Sequence, residues 1–335
     1  MQDERKAPLR LVLGGDVMLG RNVKERILRF GPDYPLGPVA RLMAAADLAI
    51  VNLECALSSS PELWPGAPKA FYFGAPPQAV ETLVRAGVGM VSLANNHVLD
   101  YGVAGLRQTL RLLQRHRISH AGAGESKPEA RAAACVERSG MRFGMAAFCD
   151  HQADFAAEGT QPGIAYLDLA DEPRALAAFR AALAPLLQAG VAWPILSLHW
   201  GPNMVLRPSP RFRRLAHAAI EMGWKILFGH SAHVFHGIEL YRGCPIIYAA
   251  GDLVDDYRVD PELRNDRQLL IELVLVQDRL AGIELHPLEI GDCQVSPAGA
   301  VAAAAIADRL RLLCGELGTR VDMREGRPCI VPAPA

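Results

Sequence analysis

The sequence lacks a surplus of either charge: 35 Lys+Arg stand against 36 Asp+Glu, a formal net charge of -1 over 335 residues. Nucleic-acid binders normally carry a basic surplus, so no nucleic-acid partner is expected. It also lacks any apolar run near the ~20 residues that a bilayer-spanning helix needs, so no membrane anchor is expected in this chain. The opening MQDERKAPLR leads almost at once into the short apolar run Leu11 to Leu13. That is not the longer apolar segment and small-residue cleavage site of a secretory signal. No CxxC pair occurs among the 7 cysteines, at 55, 135, 149, 244, 293, 314 and 329. An odd number without metal-ligand spacing reads as buried or free thiols in a reducing compartment, and the expected location is the cytoplasm.

What is present is globular: 50% hydrophobic and 21% charged residues, which excludes wholesale disorder. No linker divides the chain, which reads as a single domain 1–335 with a core at about 9–290 and a C-terminal helix and tail at 298–335. Apolar runs suited to buried strands alternate with helical patterns. Strands are predicted at 9–15, 48–54 and 88–94, with helices at 37–46, 77–87 and 103–117 between and after them. Such alternation implies βαβ units and a largely parallel sheet. Further on, 130–137 and 142–149 flank the hairpin turn Ser139-Gly140. A helix at 172–188, a strand at 193–199, a helix at 211–223 and a strand at 224–229 follow. Short strands then dominate, in part antiparallel, before a helix at 298–317. The fold class is mixed α/β and layered.

Polar residues gather where these strands end, and open α/β sheets bind ligands beyond the carboxyl ends of their strands. Asp16 follows the first strand, Asn52 and Glu54 end the second, and Asn95, Asn96 and His97 follow the third. His199 ends the strand at 193–199, and His230, His233 and His236 follow the next. Each has a plainer reading: Glu54 as a cap, Asn95-Asn96 as a turn, His199 beside Trp200 as a core histidine. Their joint occurrence at one sheet edge points instead to a metal site. Oxygen ligands and imidazoles together suit Mn, Fe or Zn.

The segments GGDVMLGR (14–21), ADLAIVNLECALS (46–58), VSLANNHVLDYG (91–102), LSLHWGPN (196–203) and GHSAHVFHGIE (229–239) strongly resemble the CapA/PgsA-type poly-γ-glutamate (capsule) synthesis proteins. That family is similar to the calcineurin-like metallophosphatases. The resemblance implies an α-β-β-α sandwich, two mixed central sheets flanked by helices, with one or two divalent metal ions at the sheet edge. It implies that Asp16 is a first-metal ligand and Glu54 the bridging carboxylate, with Asn96, His199 and His230 at the second metal and His233 returning to the first. His97 matches the histidine that assists the leaving group.

Met18 stands where general metallophosphatases have a histidine, so a weaker or differently occupied first site is expected. Two residues separate His230 from His233, where those enzymes have one. Gly251-Asp252 replaces the branch's usual Gly-Asn, and reads more readily as a surface turn than as an added ligand. Arg21 and Asn203 are candidates for holding substrate anions, and Arg21 is counted with His97 among the catalytic residues, although a structural salt bridge is its plainer reading. The expected activity is metal-dependent hydrolysis of a phosphoester or a γ-glutamyl or related amide, on a small-molecule or polymer substrate. The alternative is a non-catalytic accessory role in poly-γ-glutamate assembly or export.

Overall fold

The computed structural model describes residues 8–332, and residues 1–7 and 333–335, which the expected single domain includes, lie outside the described residues. Among the described residues, a ten-stranded and a six-stranded sheet dominate. In the larger sheet the strands Leu9–Val17, Leu48–Leu53, Val88–Ser92 and Ser119–Ala121 lie side by side in parallel. On the other edge of Leu9–Val17, the strand Arg267–Val276 pairs antiparallel as far as Leu13. Beyond that point the short strand Asp252–Val254 pairs parallel, beside Asp16 and Val17. The smaller sheet carries four parallel strands, Met141–Cys149, Trp193–His199, Ile226–His230 and Cys244–Ile247, with an antiparallel strand at each edge.

Alternation along these strands sends successive side chains to opposite faces. Phe143, Met145, Ile195, Ile226 and Phe228 join Leu11, Leu13, Ile50 and Val91 in one cluster, so the two sheets pack face to face. The intervening Phe148, Leu196, Leu198 and Leu227 pack against Phe179, Leu183, Leu215 and Ile220. Those residues belong to the helices Glu172–Gln188 and Pro210–Met222, which cover the outer face of the smaller sheet. On the other side, helices Arg21–Phe30, Gly102–Arg115 and Ala300–Gly315 bury Ile27, Leu106 and Leu310 in the shared cluster. Fully burying such a side chain contributes ~1.5–3 kcal/mol. The strands are therefore apolar on both faces, as runs such as LAIVNL and ILFGH suggest. No described helix is long and apolar enough to cross a membrane, and the seven cysteines are free.

Several segments differ from the sequence reading, among them the short strand Ser119–Ala121, which the pattern did not suggest. The strand predicted at 130–137 begins only at Ala134, because Ser126 accepts a hydrogen bond from the Glu129 N–H and starts a short helix, Lys127–Arg131. The helix Arg21–Phe30 was not foreseen. The expected tail contains a hairpin, Asp322–Arg324 with Arg327–Ile330, that extends the larger sheet by pairing with Ile283 and Glu284.

Register places the polar residues. Asp16 lies beside Asp252 on one side and Asn52 on the other. In the facing sheet His199 lies beside His230 and Cys149. The Asp16–Asp252 pairing depends on a close backbone approach: the Asp16 N–H donates to the Gly251 carbonyl at 2.9 Å. A Cβ on Gly15 would lie 1.8 Å from that same oxygen, whereas one on Gly14 meets a movable Leu253 methyl at 2.8 Å. Gly15→Ala must therefore displace the Asp252 strand, at a cost of about 1–3 kcal/mol typical of overpacking. In urea unfolding, Gly15→Ala should lower the midpoint clearly more than Gly14→Ala does. Equal midpoints for the two would contradict the close approach.

Candidate metal centre

At the edge where the two sheets meet, the side chains form two groups with ligand atoms mutually within 4.8 Å: Asp16, His199 and His230, and Asp16, Glu54, His233 and Asp252. His199 and His230 bring their Nδ1 atoms to 2.8 Å of each other, and Ser197 Oγ lies 2.9 Å from His230 Nε2. His199 Nε2 faces Asn96 Oδ1 at 3.0 Å and Glu54 Oε1 at 3.7 Å. His233 Nδ1 lies 2.9 Å from Asp252 Oδ1 and 3.8 Å from Asp16 Oδ2. The sequence-predicted Asp16, Glu54, Asn96, His199, His230 and His233 thus converge from both sheets. Asp16 belongs to both groups, the bridging place the resemblance gives to Glu54.

Local backbone explains part of this convergence. Ser231 and His233 take positive φ values of 96° and 59°, sparsely populated conformations for non-glycine residues. Those turns absorb the extra residue between His230 and His233, and they point the Ser231 N–H at Asp16 Oδ2, 3.1 Å away. Asn52 donates its side-chain N–H to Asp16 Oδ1 at 2.7 Å, and is itself oriented by Asn95. Asn95 Oδ1 accepts from the backbone N–H groups of His97 and Val98, so Asn95 makes the turn while its neighbour Asn96 reaches the site.

Two expectations, for Asp252 and His236, need correction. Asp252 is no surface turn: it is fully buried beside Asp16, ion-paired to His233. Met18 is buried with its sulfur accepting the Gly20 N–H at 3.1 Å. His236, third of the sequence trio, leaves the site: its Nε2 lies 2.8 Å from the Val205 carbonyl. Arg21 makes the ion pair of its plainer reading, Nε lying 3.4 Å from Asp256 Oδ2, and it also lines the cavity above the cluster. That cavity, about 360 Å³, is also lined by Glu54, Asn96, His97, His199, Asn203, His233, Phe73 and Tyr257.

His97 is held on its far side by two residues that sequence reasoning missed. Asp100 Oδ2 lies 2.6 Å from His97 Nδ1, and Lys69 Nζ reaches Asp100 Oδ1 at 2.5 Å and the Asn96 carbonyl. Phe73 stacks on the imidazole with ring centroids 3.8 Å apart. With Nδ1 engaged, Nε2 is the nitrogen left for the cavity. A carboxylate three residues after the histidine was a readable hint of Asp100. Lys69, from an irregular segment, gave none.

The electrostatics are those of a place short of positive charge. Burial, then Asp252, raises the Asp16 carboxyl to about 7, and burial, then Asp16, lifts Glu54 well above the usual carboxylate range. Burial alone would depress His233, but Asp252, Glu54 and Asp16 together outweigh it and hold the ring well above the ordinary imidazole range. Burial pushes His230 down to about 3, and burial, then His230, drives His199 well below its usual value. Neutral imidazoles beside clustered carboxylates are the donors a divalent cation requires, and an ion there would relieve the carboxylates' mutual repulsion. The residues fit the implied metal.

Away from the centre, burial also lowers His236 from 6.5 to about 4. A lowered folded-state value means that the unfolded chain binds the proton first. The neutral ring's contribution to stability is therefore present above pH ~6.5 and lost progressively down to about 4, amounting to roughly 3 kcal/mol. Metal-free His236→Leu protein should lose less stability than the parent between those pH values in urea unfolding. An unchanged acid-side slope would show that His236 is not a contributor.

Comparisons with known proteins identify the family. The family model described as "Bacterial capsule synthesis protein PGA_cap" matches residues 10–257. The chain is 28% identical over 291 residues to the "Capsule biosynthesis protein CapA" of Bacillus anthracis, covering 86% of this chain and 69% of that one. It is 28% identical over 363 aligned positions to a "Probable polyglutamine synthesis accessory protein" of Mycobacterium tuberculosis, covering 94% and 93%. It is 26% identical over 288 residues to the "PGA biosynthesis protein CapA" of Bacillus subtilis, covering 84% and 72%. The matched stretch runs from the first strand past Asp252 and takes in Asp16, Glu54, Asn96, His199, His230 and His233: the chain belongs to the bacterial capsule synthesis protein (PGA_cap) family.

Proposed function

We propose that this protein is a metal-dependent hydrolase of metallophosphatase type, acting on a phosphoester or on a γ-glutamyl or related amide of polymer metabolism. The observation that carries the reading is the meeting of carboxylates and neutral imidazoles from two sheets beneath one cavity, with His97 in its wall. Asp16, Glu54, Asn96, His199, His230 and His233 are the metal ligands in this reading. A divalent ion held there would lower the pKa of a bound water and offset negative charge developing on the substrate. Arg21 and Asn203, at the mouth, hold the substrate's anionic group, the guanidinium having N–H groups to spare beyond its contact with Asp256. Burial lowers His97 to about 4, so the neutral ring first takes a proton at Nε2 from the attacking water and then returns that proton to the leaving oxygen or nitrogen, with Asp100 steadying the charged ring in between. Asp100 fixes the tautomer by engaging Nδ1, and Lys69 balances the charge of that buried carboxylate. Phe73 excludes water from one face of the ring. The thiols, all free, fit a cytoplasmic location.

A second reading, a non-catalytic accessory role in poly-γ-glutamate assembly, draws on the word "accessory" in the name of the mycobacterial relative. One experiment separates the two. Metal-free protein is reloaded with Mn²⁺, Zn²⁺ or Fe²⁺ and offered p-nitrophenyl phosphate, bis-p-nitrophenyl phosphate and γ-glutamyl-p-nitroanilide, with metal content measured in parallel. Metal-dependent turnover is expected, and His97→Ala should lower kcat on the order of 10²–10⁴-fold while metal content stays unchanged. Fully loaded protein inert towards every substrate would favour the accessory role. Parallel loss of metal and turnover in His97→Ala would make His97 a ligand or a structural residue.

A further inference from the structure

The carboxylate-rich group has one member that the family resemblance does not supply. Asp252 is fully buried, and sheet register sets it directly beside Asp16. Its Oδ1 faces His233 Nδ1 at 2.9 Å. No amide, amine or hydroxyl donates to its buried Oδ2, and the buried acid Asp255 lies against the same carboxylate, its own carboxyl raised first by burial and then by Asp252. Two buried carboxylates on adjacent strands, with a third acid against one of them, are costly unless a cation sits between them. Met18 contributes nothing there, its sulfur being turned to the Gly20 N–H.

We infer that Asp252 is a direct metal ligand that replaces the imidazole lost at Met18, and that it makes the position of Asp16, Glu54 and His233 selective for a hard ion such as Mn²⁺. This rests on the reading of the site as a metal centre. Carboxylate oxygens suit Mn²⁺ and Mg²⁺, whereas imidazoles suit Zn²⁺ and Fe²⁺. Three carboxylates and one imidazole meet at this position, against two imidazoles and one carboxylate at His199 and His230. The two positions therefore divide the metals: the discrimination against Mn²⁺ is weaker at the first than at the second. In the competing role Asp252 only orients His233, holding Nδ1 and leaving Nε2 for the metal; the approach of that same Nδ1 to Asp16 Oδ2, at 3.8 Å, favours the nitrogen, and Asp252 with it, facing the ion.

The test measures metals and leaves turnover aside. Metal-free parent and Asp252→Asn protein are titrated with Mn²⁺ and with Zn²⁺ by calorimetry, and Mn²⁺-loaded parent crystals are examined by anomalous scattering at the Mn edge. In Asp252→Asn, Mn²⁺ affinity at one position should fall by more than the ~10–100-fold typical of an orienting partner. Zn²⁺ binding at the other position should persist and report an intact fold. The anomalous peak should lie at bonding distance, ~2 Å, from an Asp252 oxygen. A peak beyond reach of Asp252, or unchanged Mn²⁺ affinity in a variant that still binds Zn²⁺, overturns the inference. Should Asp252→Asn not fold, the parent crystals decide alone. Protein that binds Mn²⁺ through Asp252 but hydrolyses nothing retires the hydrolase and keeps this inference. Hydrolysis with Mn²⁺ binding indifferent to Asp252 does the reverse.

Discussion

Two carboxylates side by side in a buried parallel sheet set the terms for the rest of this structure. Asp16 and Asp252 occupy paired positions on adjacent strands, both sealed from water, with Glu54 a short distance away. Concentrating negative charge away from solvent is costly, and hydrogen bonds to the charged forms recover only part of that cost. The Asn52 amide and the Ser231 N–H supply such bonds to Asp16. The acids around His233 hold its ring well above the ordinary imidazole range, so positive charge is favoured beside them, as a metal cation would be.

That concentration is held in place by two sheets, each doing a different job. The larger sheet provides the oxygen donors through register, since neighbouring residues in paired strands share a face. The smaller sheet provides nitrogen donors the same way, from His199 and His230. Because both sheets are apolar on both faces around these residues, the donors cannot relax into solvent. The loop from Ser231 to His233 then crosses back with two left-handed residues, and the surrounding packing must hold that strain. A rigid frame with a strained connector is what a preorganised ion site requires.

On the cavity side the arrangement is a chain of paired charges: Lys69 to Asp100, Asp100 to His97, and His97 to the open space. Each step fixes the next, so the ring nitrogen that faces the cavity is selected by a residue well behind it.

Composition, periodicity and strand-end polarity determined the layered α/β class and a wider group of polar residues at one sheet edge, because period-2 burial and chain order fix which residues leave the strands there; only the resemblance to the capsule synthesis proteins singled out Asp16, Glu54, Asn96, His199, His230 and His233 within it. Local pattern did not separate Asn95 from Asn96, nor His236 from His233, since in each case a turn of the backbone decides which side chain enters the site. Nor could it see Lys69, whose partner Asp100 lies 31 positions away, or the buried place of Asp252. The last depends on a short strand pairing with the first strand across more than two hundred residues, at a spot where only glycine at 15 lets the backbones meet. Local pattern governs what a residue can be, whereas long-range pairing decides what it faces.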